Sequence, residues 1–218
     1  MNAWHRRGRL ALLAAAIVLV GVLPAGRWAE GSPATGGLKT PQYVLIIRHA
    51  EKPKGNDVNL NSRGAGRAAA LPSLFLIPPT FPTKDVRFPT PDFVFATKAS
   101  KESNRPVETV TPLAKVLGNL DIHDKHANGD FQAVVDDLFG DAKYAGKTVL
   151  ICWHHGKIPD LAKAVAKKAK NFDKLKSKFP TKFGGQVFDR VWQFTFDNQG
   201  NATFNNRPQR LLYGDSKN

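Results

Sequence analysis

The stretch Tyr43-Val-Leu-Ile-Ile-Arg-His-Ala-Glu51 decides the fold. Its first five residues form a short continuous apolar run, β-branched at its end, which is the composition of a strand buried on both faces. The run breaks abruptly into Arg48-His49-Ala50-Glu51, so polar groups emerge at the strand's carboxyl end. In open α/β sheets that end is where ligands bind. Thr148-Val-Leu-Ile-Cys152 repeats the design and ends in Trp153-His154-His155-Gly156. A third short strand, Phe93-Val-Phe95, follows Thr90-Pro91-Asp92.

Between these strands the apolar spacing becomes helical. Leu60-Asn61-Ser62 leads into Ala65, Ala68, Ala69, Ala70 and Leu71, with Ser62 or Asn61 as the N-cap and Pro72 and the pair Pro78-Pro79 as the stop. Pro106 fits only the first turn of a helix, so Arg105 lies at or just before the N-terminus of a helix that runs through Leu117. Asp130–Leu138 reads as a further helix, and Asp160 to about Lys178 as an amphipathic one with Leu161, Ala164, Val165, Ala169, Phe172 and Leu175 on its apolar stripe. Val191–Phe196 alternates with period two, Asp197–Asn201 turns, and Ala202–Phe204 returns as the second arm of a hairpin. The element order predicts a three-layer α/β/α sandwich, with a mostly parallel central sheet and the C-terminal hairpin at its edge.

With 218 residues, 42% hydrophobic and 23% charged, the chain is unlike a disordered, collagenous or multispanning membrane protein. One domain is expected. Cys152 is the single cysteine, which excludes an internal disulfide framework and a four-cysteine zinc site. Residues 1–25 read as an export signal. His5, Arg6, Arg7 and Arg9 precede the uncharged run LALLAAAIVLVGVL, which is shorter than the about 20 apolar residues of a spanning helix. A retained N-terminal anchor is the alternative. Residues 26–40 read as a flexible linker and 41–214 as the domain, with the proline-rich stretch 78–91 a surface excursion. The balance of 32 Lys+Arg against 18 Asp+Glu favours anionic partners. Eight lysines between 163 and 182 follow helical spacing opposite an apolar stripe, so they read as a solvated face and no nucleic-acid partner is expected.

Parallel packing of strands 43–47 and 148–152 would gather two imidazoles, two guanidiniums and a helix N-terminus into one pocket, all favourable to a dianion. Arginine's planar fork suits phosphate, and neutral histidine is a competent nucleophile toward phosphorus. Adjacent strand residues point to opposite faces, which disfavours a metal site from His154 and His155. His123 and His126 read as solvated loop histidines. The role of Glu51, toward substrate or toward its own backbone, stays open.

Four segments in order then resemble the histidine phosphatase, or phosphoglycerate mutase-like, superfamily. These are Arg48-His49-Ala50-Glu51, Leu60-Asn61-Ser62-Arg63-Gly64 through Ala68, Ser103-Asn104-Arg105-Pro106-Val107-Glu108-Thr109, and Trp153-His154-His155-Gly156. The resemblance implies His49 as nucleophile and Arg48, Arg105 and His155 as the phosphate pocket. His155 is preferred to His154 because the family's histidine precedes a glycine or similar small residue. The resemblance also implies a metal-independent phosphatase of small phosphorylated substrates, with no cofactor. Asp130 is the expected general acid, with Asp121 and Asp124 as alternatives. Ala50 and the longer loop TKASKESN depart from the family pattern. An inactive basic protein that binds phosphorylated or polyanionic ligands on the same fold is the alternative function. The export segment implies a periplasmic or extracellular location, with membrane attachment only where that segment is retained. Mass spectrometry of exported protein should find a start after Ala25 or Ala34, whereas an intact Met1 on membrane-bound material would mean an anchor.

Overall fold

A computed structural model describes residues 39–55, 57–76 and 88–216, all within the compact unit Gly36–Asn218. The expected export signal and most of the linker lie outside the described residues, as does most of the proline-rich stretch. Among the described residues no helix is long and apolar enough to cross a membrane.

Six strands form one sheet. They are β1 (Tyr43–Arg48), β2 (Phe93–Ala96), β3 (Ile122–His123), β4 (Thr148–Trp153), β5 (Arg190–Phe196) and β6 (Ala202–Pro208), in the order β3-β2-β4-β1-β5-β6. β3, β2, β4 and β1 run parallel, and the β5–β6 hairpin joins β1 antiparallel. The sandwich is the one the sequence predicts. Strand alternation splits the apolar runs between two cores. Val44, Ile46, Val149, Ile151 and Trp153 face helices α3 (Phe131–Gly140), α4 (Ile158–Ala166) and α5 (Phe172–Leu175). Leu45, Ile47, Leu150 and Cys152 face α2 (Arg105–Val116) and a 3-10 turn over Leu71–Leu74, and α1 (Ser62–Ala70) packs on α2 and that turn. Burial on both faces explains why β1 and β4 read as unbroken apolar runs.

The structure departs from the sequence expectation in four places. The helix expected over Asp160 to Lys178 is broken between α4 and α5. The Lys170 amide donates to the Gly200 carbonyl, and the Asn171 side chain bonds both the amide and the carbonyl of Ala202, so docking on the hairpin overrides helical propensity. The first α-helix ends at Ala70, ahead of Pro72, but the chain continues as a 3-10 turn with Pro72 in its first turn. β6 extends to Pro208, past the expected Phe204. Its solvent-facing Asn205 and Asn206 carry no apolar alternation because this is an edge strand. β3, at two residues, is too short for any periodicity to reveal.

Helix α1 lies directly on the chain that leaves β1. Asn61 caps it by accepting from the Gly64 amide at 2.8 Å, and the Asn61 amide donates to the Glu51 carbonyl. A Cβ on Gly64 would overlap the Glu51 carbonyl oxygen and stand 2.9 Å from the Glu51 amide nitrogen. On urea unfolding, Gly64→Ala should cost about 1–3 kcal/mol as backbone overpacking. Gly66→Ala, on the same helix with nothing within 4 Å of its added Cβ, should be neutral or stabilising by up to about 1 kcal/mol.

Candidate active site

β1 and β4 pair in register from Tyr43↔Thr148 to Arg48↔Trp153, and one residue further the His49 amide donates to the Trp153 carbonyl at 3.1 Å. The chains therefore leave the sheet side by side, with His49 level with His154. Thr97 follows the end of β2, and its amide donates to the Cys152 carbonyl. The loop after it delivers Arg105 at the start of α2. These segments, with Ala127 and Asn128 ahead of α3, line an open cleft of about 590 Å³ at the carboxyl edge of the parallel strands.

His49 is 2% exposed, and its Nδ1 lies 2.7 Å from the Ala50 carbonyl. A carbonyl only accepts, so Nδ1 carries the proton and Nε2 keeps its lone pair. Burial pushes the imidazole down to about 3. The neighbouring His154, Arg48 and Arg105 push the same way, against the Ala50 hydrogen bond. The ring is a neutral base at ordinary pH. Ala50 is itself held by the Thr109 hydroxyl, which accepts from its amide at 2.9 Å and donates to the Arg105 carbonyl at 2.7 Å. The loop that carries His49 is thereby tied to the helix that carries Arg105.

Both expected arginines line the cleft, each pinned by backbone carbonyls. Arg48 Nη1 donates to the carbonyls of Gly184, Gly185 and Val187, and its guanidinium lies 3.8 Å from the Phe188 ring centroid. Burial lowers its pKa to about 10, so it stays charged at neutral pH. Arg105 Nη1 and Nη2 donate to the carbonyls of Asp57 and Glu102. Arg48 Nε, Arg105 Nε and Thr97 Oγ1 are buried and have no hydrogen-bond partner among the described residues. All three belong to residues that line the cleft.

His154 and His155 both line it as well. The ring set against His49 is that of His154, at 5.1 Å between centroids and 66° between planes. Burial, then the charge of Arg105, lowers His154 to about 4; burial, then Arg48, also lowers His155. β4 stops at Trp153, so the alternation that would have sent the two rings to opposite faces no longer applies. The signal for His154 was its place as the first residue past a buried strand, matching His49 after β1.

Asp130 is exposed at the N-cap position of α3, its carboxylate accepting from the Ala127 amide, and it does not line the cleft. Asp121 and Asp124 are likewise exposed and outside the lining. The carboxyl that does line it is Glu102, unnoticed in the loop TKASKESN. Glu51 turns away from the cleft to a buried network. Arg67 Nη2 donates to it at 2.8 Å and to Asp215 at 2.7 Å. Against the burial that would raise it, Arg67 holds the Glu51 carboxyl below its ordinary range. His123 stacks on Phe95, and His126 pairs with Asp137 at 2.9 Å. Among the described residues no cluster of His, Cys, Asp and Glu could hold a metal.

His49 and His154 are neutral when folded and take up protons on unfolding, so their contribution is intact above pH 6.5 and lost as pH falls toward their folded values. Between pH 6.5 and about 4.5, above the carboxylate range, each should reduce stability by up to about 1.4 kcal/mol per pH unit. In thermal denaturation across that window, His49→Gln should flatten the slope by about one proton.

No protein-family model matches the chain, and no curated protein does. Among solved structures the chain is similar to the protein histidine phosphatase SixA complexed with tungstate, at 17% identity over 77% of this chain and 97% of that one, with a TM-score of 0.42. It is similar to a phosphoglycerate mutase from Plasmodium falciparum at 13% identity, over 82% and 98% of the two chains, with a TM-score of 0.46. A phosphoglycerate mutase from Bacillus anthracis stands at 15%, 78% and 94%, with a TM-score of 0.43.

Proposed function

We propose that this chain is a metal-independent phosphohydrolase that cleaves phosphate esters through a phosphohistidine. The observation that carries the reading is the set of unpartnered donors Arg48 Nε, Arg105 Nε and Thr97 Oγ1 on one cleft, beside a neutral His49 with Nε2 free. Buried donors are almost always satisfied, so such a group favours an anionic acceptor. Two guanidiniums and a hydroxyl suit a tetrahedral oxyanion.

In the first half-reaction His49 Nε2 attacks phosphorus in line, the N–P bond forms and the ester P–O bond breaks. The leaving alkoxide takes a proton. Glu102 is the carboxyl that lines the cleft among the described residues, and we assign it this role in place of Asp130. In the second half-reaction water attacks phosphorus and gives a proton to the Glu102 carboxylate, the N–P bond breaks, and phosphate leaves with His49 and the Glu102 carboxyl restored. Arg48 and Arg105 offset the charge on the transferring group, the task that Mg²⁺ performs in kinases. The neutral His154 and His155 gain proton affinity as the dianion enters, which lets them donate to it. The alternative, an inactive anion-binding protein, would use the same donors but has no use for the His49 tautomer that the Ala50 carbonyl enforces. We place the mature domain outside the cytoplasm on the strength of its N-terminal segment, with small phosphorylated molecules as substrates.

Purified domain should hydrolyse phosphate esters in EDTA and acquire an acid-labile, base-stable label during turnover. His49→Ala should abolish both, and turnover that persists in this variant would overturn the reading. Glu102→Gln should slow alkyl esters by about 10²–10⁴-fold while barely affecting activated aryl esters. The same leaving-group selectivity in Asp130→Asn instead would return the acid role to Asp130.

A further inference from the structure

We propose that Thr97 is a substrate-contacting residue whose hydroxyl donates a hydrogen bond to a phosphoryl oxygen held between Arg48 and Arg105. The proposal rests on the reading of the cleft as an oxyanion site. Thr97 is the first residue past β2, and its amide is fixed to the Cys152 carbonyl of β4 at 3.2 Å. The residue is 1% exposed and lines the cleft, yet Oγ1 has no partner among the described residues.

A threonine hydroxyl rotates to find an acceptor, and neighbouring threonines do so. Thr109 donates to the Arg105 carbonyl at 2.7 Å, Thr111 to the Val107 carbonyl at 2.8 Å and Thr90 to the Phe75 carbonyl at 3.1 Å. A buried hydroxyl without an acceptor destabilises a protein, and valine of nearly the same shape would avoid that cost. The hydroxyl therefore contributes through a bound acceptor rather than through the fold.

The donor inventory says what a hydroxyl adds. Arg48 Nη1 is committed to three carbonyls, and Arg105 Nη1 and Nη2 to two more. Each arginine keeps its Nε–H uncommitted among the described residues, and a phosphoryl group presents three oxygens, so the hydroxyl supplements the two guanidiniums. A neutral donor at the end of β2 adds a hydrogen bond without a further buried cation. It also stands beside the strand that carries His154, so the bound group would be gripped from both neighbouring strand ends.

The test is calorimetric titration of the full domain with tungstate, alongside thermal unfolding of the unliganded protein. Thr97→Val should weaken tungstate binding by about 10–100-fold, the value of one hydrogen bond to a charged group. The unliganded variant should melt at the same temperature as wild type or about 2–4 °C higher. Thr97→Ser should restore binding to near the wild-type value. Wild-type affinity in Thr97→Val would overturn the proposal. A lower melting temperature with no loss of affinity would also overturn it, by assigning Thr97 to the framework. The titration needs no turnover, so weakened binding in Thr97→Val with an inactive wild type would sustain this inference while sinking the phosphatase reading. Absence of tungstate binding by wild type would sink both.

Discussion

The parallel, in-register pairing of β1 with β4 fixes where the chemistry can occur, because it sends two polar chain segments out of the sheet at the same level. His49 hydrogen-bonds to Trp153 as if the ladder continued one step, and this brings the two imidazoles to 5.1 Å. A slip of one residue would reverse which core each side chain faces, exchanging Ile46 with Ile47 and Ile151 with Cys152. Register is thus defended by two cores at once. The site inherits its geometry from packing that has no chemical role.

Holding cations in so buried a place needs compensation. Arg48, 2% exposed, is stabilised by three backbone carbonyls of the 184–187 segment and by the face of Phe188, whose ring also lies edge-on to His49 at 6.2 Å. Carbonyl dipoles offset part of the desolvation without neutralising the charge, as a carboxylate would. The guanidinium therefore remains available to an anion. Neutral histidines obey the same constraint, since a third and fourth buried cation beside the two guanidiniums would cost more than the surroundings return.

Glu51 shows how a polar residue two positions from His49 can serve the framework. Its carboxylate shares Arg67 with Asp215, and Asp215 also accepts from the amides of Leu211 and Leu212. The C-terminal segment is in this way locked to the loop that carries His49. Arg67 meets Glu51 across 16 positions and Asp215 across 148, so the pairing has no local signature.

The sequence by itself determined the buried strands, their polar ends, the helix starts at Asn61 and Arg105 and the C-terminal hairpin. Each of these is written in the spacing of a few consecutive residues: an unbroken apolar run, a capping side chain, a proline that only a first turn accepts. It also named Arg48, His49 and Arg105, which sit where such elements end or begin. Only the tertiary structure decided that His154 is the ring against His49, that Glu102 rather than Asp130 lines the cleft, and that Thr97 Oγ1 is left without a partner. It alone broke the helix after Ala166, because Asn171 is claimed by Ala202 of the hairpin. The physical reason is range. Periodicity and capping act over one or two turns of chain, whereas the partners of a buried polar group are chosen by whatever distant segments the folded sheet brings beside it.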